Sequence, residues 1–98
     1  MSNDTPIVGL LTVELYVSDA LTLKDKRSVV KGLLDRLGGR FNVAVAEVGA
    51  LDRHRTAVLA LTTVANDGKH VERVLEACRR FIAAEPRAVL QDSSLELL

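Results

Sequence analysis

Between residues 21 and 49 the chain changes its hydrophobic period in mid-stretch, and few folds accommodate such a change in so short a segment. The stretch reads LTLKDKRSVVKGLLDRLGGRFNVAVAEVG. In its first half Leu23, Val30, Leu33, Leu34 and Leu37 recur at helical spacing on one face. Thr22 stands where an N-cap is needed, and Asp25, three residues on, supplies the reciprocal partner of a capping box. Gly38-Gly39 is predicted to end this helix near Leu37, because glycine adopts the left-handed conformation common at helix ends. Beyond it Phe41, Val43, Val45 and Glu47 alternate with Asn42, Ala44, Ala46 and Val48, the period of a strand.

A helix that feeds a strand in this way is half of a βαβ unit and calls for a strand before it. Residues 7–17 provide one: Gly9, Leu11, Val13, Leu15 and Val17 share the face expected to meet the core, and Leu10, Thr12, Glu14 and Tyr16 share the other. After the second strand, residues 49–54 (GALDRH) form a polar connection with turn chemistry at Gly49 and Asp52. A third strand over 56–64 puts Ala57, Leu59, Leu61 and Thr63 on one face and Val58, Ala60, Thr62 and Val64 on the other, at a spacing that suits a hairpin. Asn66 or Asp67 caps a second helix with the stripe Val71, Val74, Leu75, Cys78, Phe81 and Ile82, which stops before Pro86. A final strand over 89–98 is expected to be interrupted at Asp92-Ser93-Ser94, and residues 1–6 form a polar N-terminal tail. The order is βαββαβ. It predicts a single α+β domain over 1–98, ferredoxin-like, with a four-stranded antiparallel sheet, two helices on one face and right-handed crossovers.

Composition removes several function classes. Charged residues are 27% of the chain and cancel to zero, which argues against non-specific coating of DNA or RNA, though not against a local basic patch. Tyr16, Phe41 and Phe81 are the only aromatics, poor material for base stacking. A single cysteine, Cys78, excludes an intrachain disulfide and any zinc site built on paired cysteines. No run is long and apolar enough to span a bilayer, and the start MSNDTPIV lacks the basic and apolar regions of a signal peptide. A soluble cytoplasmic protein without a membrane or DNA partner is expected.

Three motifs carry a family resemblance that covers almost the whole chain. LTLKDKR at 21–27 is similar to the S-L-K-E-K-R signature of the bacterial YlxP-like proteins, a domain-of-unknown-function family. RFNVAVAEV at 40–48 resembles that family's second strand, and Ala65-Asn66-Asp67 resembles its S-N-D turn. Thr22 replaces the usual serine and preserves the cap; Tyr16 stands where many members carry histidine. The resemblance implies a ferredoxin-like fold in a bacterial cytoplasmic protein. Because family genes commonly lie beside those for a translation initiation factor and ribosome-binding factor A, it also implies a link to translation or ribosome maturation by association.

The residues themselves offer candidate surfaces and no catalytic apparatus. Lys24, Arg27 and Lys31 fall within about a 60° sector of the first helix and suit phosphate or an RNA backbone; the plainer alternative is a solvated flank with local partners such as Asp35. Arg53, His54 and Arg55 form a basic loop that either reaches a ribosomal surface or is an ordinary polar turn. Glu47, facing inward, is expected to pair with Lys26 or Arg27 and orient the helix entrance, whereas Glu14 points outward and does not meet it. His54 and His70 have no ligand spacing with Cys78, and Asp67-Gly68-Lys69 lacks the glycine and Ser/Thr of a P-loop. No catalytic triad, metal site or cofactor is expected. The helix-free sheet face, with Tyr16, Ala44, Ala46, Val58, Ala60 and Thr62, suits a homodimer packed sheet to sheet. The expectation is a non-enzymatic accessory factor that contacts ribosomal RNA or a ribosomal particle. The alternative is a small-molecule-binding or enzymatic homo-oligomer with its site at the subunit interface.

Overall fold

The capping box predicted at Thr22 forms. The Asp25 N–H donates to Thr22 Oγ1 at 3.1 Å, and the Thr22 N–H donates back to Asp25 Oδ2 at 3.1 Å. This is a computed structural model, and it describes residues 4–98. Of the polar tail expected over 1–6, residues 1–3 lie outside the described residues and 4–6 are exposed. The elements are β1 (Ile7–Tyr16), α1 (Leu23–Arg40), β2 (Ala44–Gly49), β3 (Thr56–Ala65), α2 (Gly68–Ala83) and β4 (Val89–Leu97). The strands form one antiparallel sheet in the order β2-β3-β1-β4, which is the ferredoxin-like α+β fold. Both helices lie on one face; α2 covers β1, β3 and β4, and α1 covers mainly β2.

The core is the face the alternation predicted. Leu11, Val13, Leu15 and Val17 from β1 and its end meet Ala57, Leu59 and Leu61 from β3, with Val30, Leu33 and Leu37 of α1 and Val71, Leu75, Cys78 and Ile82 of α2 above them. Each fully buried leucine contributes about 1.5–3 kcal/mol. Helix α2 lies so near β1 that a Cβ on Gly9 would stand 2.4 Å from Val71 Cγ1 and 2.8 Å from Leu75 Cδ1, so β1 needs a glycine at that crossing. Asp67 is the residue that caps α2, its carboxylate accepting the Lys69 N–H at 3.1 Å.

Three local expectations are corrected. Gly38-Gly39 does not stop α1, which runs on to Arg40, and none of the described glycines has positive φ. A helix continues through glycine at a cost of about 1 kcal/mol per residue, and here the next turn is held from outside. The Arg40 guanidinium lies 5.7 Å from the Phe41 ring and 5.5 Å from the Phe81 ring, and the two rings meet edge to face at 5.8 Å. The strand after α1 therefore begins at Ala44. In the connection that follows, the left-handed residue is Ala50 (φ 55°); Gly49 instead lies in a bulge against Val58, where a Cβ would stand 3.1 Å from Val58 Cβ. In β4, Asp92-Ser93-Ser94 do not interrupt the strand. They pair with Glu14, Val13 and Thr12, and the irregularity is a bulge that leaves Gln91 without a partner between Leu90 and Asp92.

Candidate functional site

The entrance of α1 is organised by a charge that occupies an apolar position. Lys26, Val30, Leu33 and Leu37 form the buried stripe of α1, so the helix carries the Lys26 side chain into the interior, where it is 0% exposed. Its ammonium lies 2.8 Å from Glu47 Oε2 on β2. That contact lacks hydrogen-bond alignment, and the directed bonds go to the carbonyls of Ala50 at 2.9 Å and Thr56 at 3.1 Å. A buried ammonium is costly unless paired and hydrogen-bonded, and both conditions are met here. Arg27 points 100° away around the helix, is exposed, and takes no part in this cluster.

The arrangement ties the loop between β2 and β3 to the start of α1. The left-handed backbone at Ala50 belongs to it, since the carbonyl that receives Lys26 is that residue's own. A second bond, from Arg55 Nε to the Ala20 carbonyl at 3.2 Å, fastens the loop to the segment before the helix. The backbone of the basic loop is thus held beside the α1 entrance, with Lys24, Arg27, Arg53 and His54 exposed. Lys31 is exposed further along α1 and pairs with Asp35 at 2.9 Å. Arg55 is only partly available, because its Nε is committed to Ala20.

No pattern in the sequence announces the second charged cluster. Glu85, in the turn after α2, is buried and accepts from the Arg87 N–H at 3.1 Å, from Arg87 Nε at 3.2 Å and from the guanidinium of Arg36 on α1. Burial pushes its pKa up, but the Arg87 and Arg36 hydrogen bonds and the charge of Arg36 outweigh it and hold the carboxyl below its ordinary value. The only trace in the sequence is a Glu-Pro-Arg turn, and the Arg36 partner lies 49 residues away.

Cys78 is fully buried, and desolvation pushes its thiol up to about 11, which leaves no thiolate nucleophile. Glu14 is exposed on the helix-free face and Glu47 points to the core side, so the two carboxylates do not meet. Among the described residues no group of three or more His, Cys, Asp or Glu side chains could hold a metal ion, and no helix is long and apolar enough to cross a membrane.

The helix-free face carries the remaining candidates. Ala44 and Ala46 are exposed there, and Tyr16, Val58, Ala60 and Thr62 are half-buried. Leu10, Ala44, Ala46, Ala60 and Thr62 border a shallow apolar depression of about 200 Å³. Thr62 adds to its apolar character, because its hydroxyl is turned to the Gly9 carbonyl at 2.7 Å.

The element order, the strand order and a sheet with one uncovered face define a ferredoxin-like α+β domain. This chain belongs to the DUF503 family, described as a protein of unknown function, whose model matches residues 8–95. The Uncharacterized protein YlxP of Bacillus subtilis (strain 168) is 30% identical over 80 residues, which are 82% of this chain and 87% of that protein. The expected membership of a YlxP-like family is therefore established. A de novo designed protein, Foldit4, aligns with 96% of this chain and 94% of its own at 14% identity and a TM-score of 0.46.

Proposed function

We propose that this protein is a non-enzymatic accessory factor of translation or ribosome maturation, acting in the bacterial cytoplasm through contact with structured RNA or a ribosomal particle. One observation carries the reading. Buried Lys26 bonds the Ala50 and Thr56 carbonyls, so the loop that bears Arg53 and Arg55 is held beside the helix entrance that bears Lys24 and Arg27. Charges held on ordered backbone lose less entropy on binding phosphate than charges on a free loop. Lys24 also stands in the first turn of a helix, where a cation opposes the helix dipole. That mild cost is consistent with selection for binding.

Replacing Lys24, Arg27, Lys31 and Arg53 together by alanine should weaken co-sedimentation with ribosomal particles and binding to structured RNA. The log–log salt slope should flatten by about 0.9 for each phosphate the variant no longer neutralises. Unchanged association of that variant ends the reading. A homodimer through the uncovered sheet face belongs to the same proposal, supported by the small apolar surface at Ala44, Ala46 and Ala60. Ala60→Arg should split that dimer and leave the monomer folded; wild-type protein that sediments as a monomer at high micromolar concentration removes the dimer.

A further inference from the structure

The two edges of the sheet are built differently. β4 carries devices that turn other strands away: the bulge at Gln91, the carboxylates of Asp92 and Glu96, and a hydrogen bond from the Ser93 N–H to Asp92 Oδ1 at 2.9 Å. β2, the opposite edge, has almost none of these. It reads AVAEVG, and its one charge, Glu47, is turned inward to Lys26. Its bulge lies at its far end, between Glu47 and Gly49. Among the described residues, no side chain hydrogen-bonds to the backbone of Ala44–Gly49. Such an edge presents a row of N–H and C=O groups that another strand can pair with.

Helix α1 states what that strand must carry. Arg36 and Arg40 reach Glu85 and Phe81, so their flank of α1 is turned toward α2 and the middle of the molecule. At 100° per residue, Arg27 lies on the flank opposite Arg36, on the side of the free β2 edge, Lys31 stands next to it around the helix, and Lys24 is turned largely away from the sheet. Arg27 and Lys31 are separated by about 6 Å along the helix axis, close to the roughly 6.8 Å between side chains on one face of a strand. Among the described residues Lys24 and Arg27 have no acidic partner, and the Lys31–Asp35 pair is exposed and therefore weak.

We propose that the free edge of β2 takes up an extended segment of a partner protein with acidic residues at alternate positions. The segment adds as a fifth strand. Its backbone pairs with β2, its carboxylates meet Arg27 and Lys31, and its intervening small apolar side chains lie on the uncovered face beside Ala44 and Ala46. A second copy of this chain is a poorer occupant, because pairing β2 with β2 sets two cationic flanks side by side. The inference goes beyond RNA contact: phosphate can neutralise the flank but cannot complete a sheet edge.

The test titrates isotope-labelled protein with a synthetic octapeptide of alternating glutamate and valine, followed by amide NMR and hydrogen exchange. Saturable shifts and slowed exchange within Ala44–Gly49, with Kd below about 1 mM, are expected. The lysine–valine peptide should bind at least about tenfold more weakly. N-methylation of one alternate set of peptide amides should abolish binding, and methylation of the other set should leave it. In R27E/K31E, both changes on exposed positions, the preference should reverse toward the lysine peptide. The proposal is overturned by no binding at about 1 mM, by equal affinity for both peptides, or by binding that survives methylation of each amide set in turn. It is also overturned if an RNA oligonucleotide protects the β2 amides while the peptide leaves them unchanged. Peptide methylation leaves RNA binding untouched, so failure here and failure of the salt-dependent RNA contact are read separately.

Discussion

Two buried charges tie α1 to the rest of the fold, Lys26 from the helix itself and Glu85 through Arg36, and they work in opposite ways. Lys26 is a cation that gathers three oxygens from the far side of the chain: the Glu47 carboxylate of β2 as ion pair, and the Ala50 and Thr56 carbonyls that bracket the loop as acceptors. Glu85 is an anion that gathers donors from two arginines, one of them its near neighbour. The Lys26 side chain is wholly enclosed, whereas Arg36 and Arg87 keep about half of theirs in water. Removing Lys26 therefore strands a carboxylate that lacks any other partner, while removing the Glu85 charge leaves cations that water can solvate. Two ion clusters of similar appearance should differ in what their loss costs, the Lys26 cluster being the costlier.

The largest effect is expected at Lys26. Lys26→Met keeps most of the volume but leaves the enclosed Oε2 of half-buried Glu47 unpaired, and should destabilise the fold by about 3 kcal/mol, the lower end for breaking a buried pair. Adding Glu47→Leu should recover much of that loss, because a buried ion pair replaced by apolar groups is often close to neutral. Urea denaturation of the two variants measures both steps. If the double variant is stable yet loses the ordered loop, seen as raised hydrogen exchange at residues 50–55, the pair's role is to orient the loop. Glu85→Gln comes second, at about 1.5–3 kcal/mol by the usual worth of hydrogen bonds to charged groups, with the lower end favoured because Arg36 and Arg87 are half exposed.

The same comparison has a pH signature. Glu85 titrates below the ordinary 4.5 in the folded protein, since its arginine hydrogen bonds overcome the opposing effect of burial. A folded-state pKa lower than the unfolded one gives stability that is complete above pH 4.5 and is lost as pH falls through the folded value. Wild type should therefore lose stability faster than Glu85→Gln below pH 4.5, and the two curves should run parallel above it. Curves that stay parallel throughout would show that the Glu85 charge is not coupled to folding.

Residues whose neighbours along the chain carry the information are legible in the sequence. Thr22 and Asp25 announce the capping box, and alternation assigns the faces of β1 and β3 as the structure has them. Lys26 is half legible. The topology brings the end of β2 to the start of α1, and the choice between Lys26 and Arg27 follows from Lys26 standing in register with Val30, Leu33 and Leu37. Misreadings arise where a distant contact overrides a local signal. Gly38-Gly39 stays helical because Arg40 and Phe41 are anchored on Phe81, and Ala50 takes the left-handed turn because its carbonyl serves Lys26. Glu85 escapes notice for the same reason: Arg36 lies 49 residues away and no periodicity marks the pair. The exposed basic groups give no such signal, since an exposed side chain binds only what arrives from outside.

The smallest effect supplies the baseline for the other two. Lys31–Asp35 is an ion pair on the same helix as Lys26, formed at 2.9 Å, but its side chains are 78% and 66% exposed. In water the attraction between such charges is screened and ordering two long side chains costs entropy, so Lys31→Ala should change stability by only about 0.3–0.5 kcal/mol. The spacing also places the cation N-terminal to the anion, the less favourable order against the helix dipole. Raising salt to about 1 M shortens the screening length to roughly 3 Å and should erase what remains, while the loss at Lys26→Met should barely change. If Lys31→Ala proves as costly as Glu85→Gln, pairing itself rather than burial sets the energies, and the contrast between the Lys26 and Glu85 clusters fails.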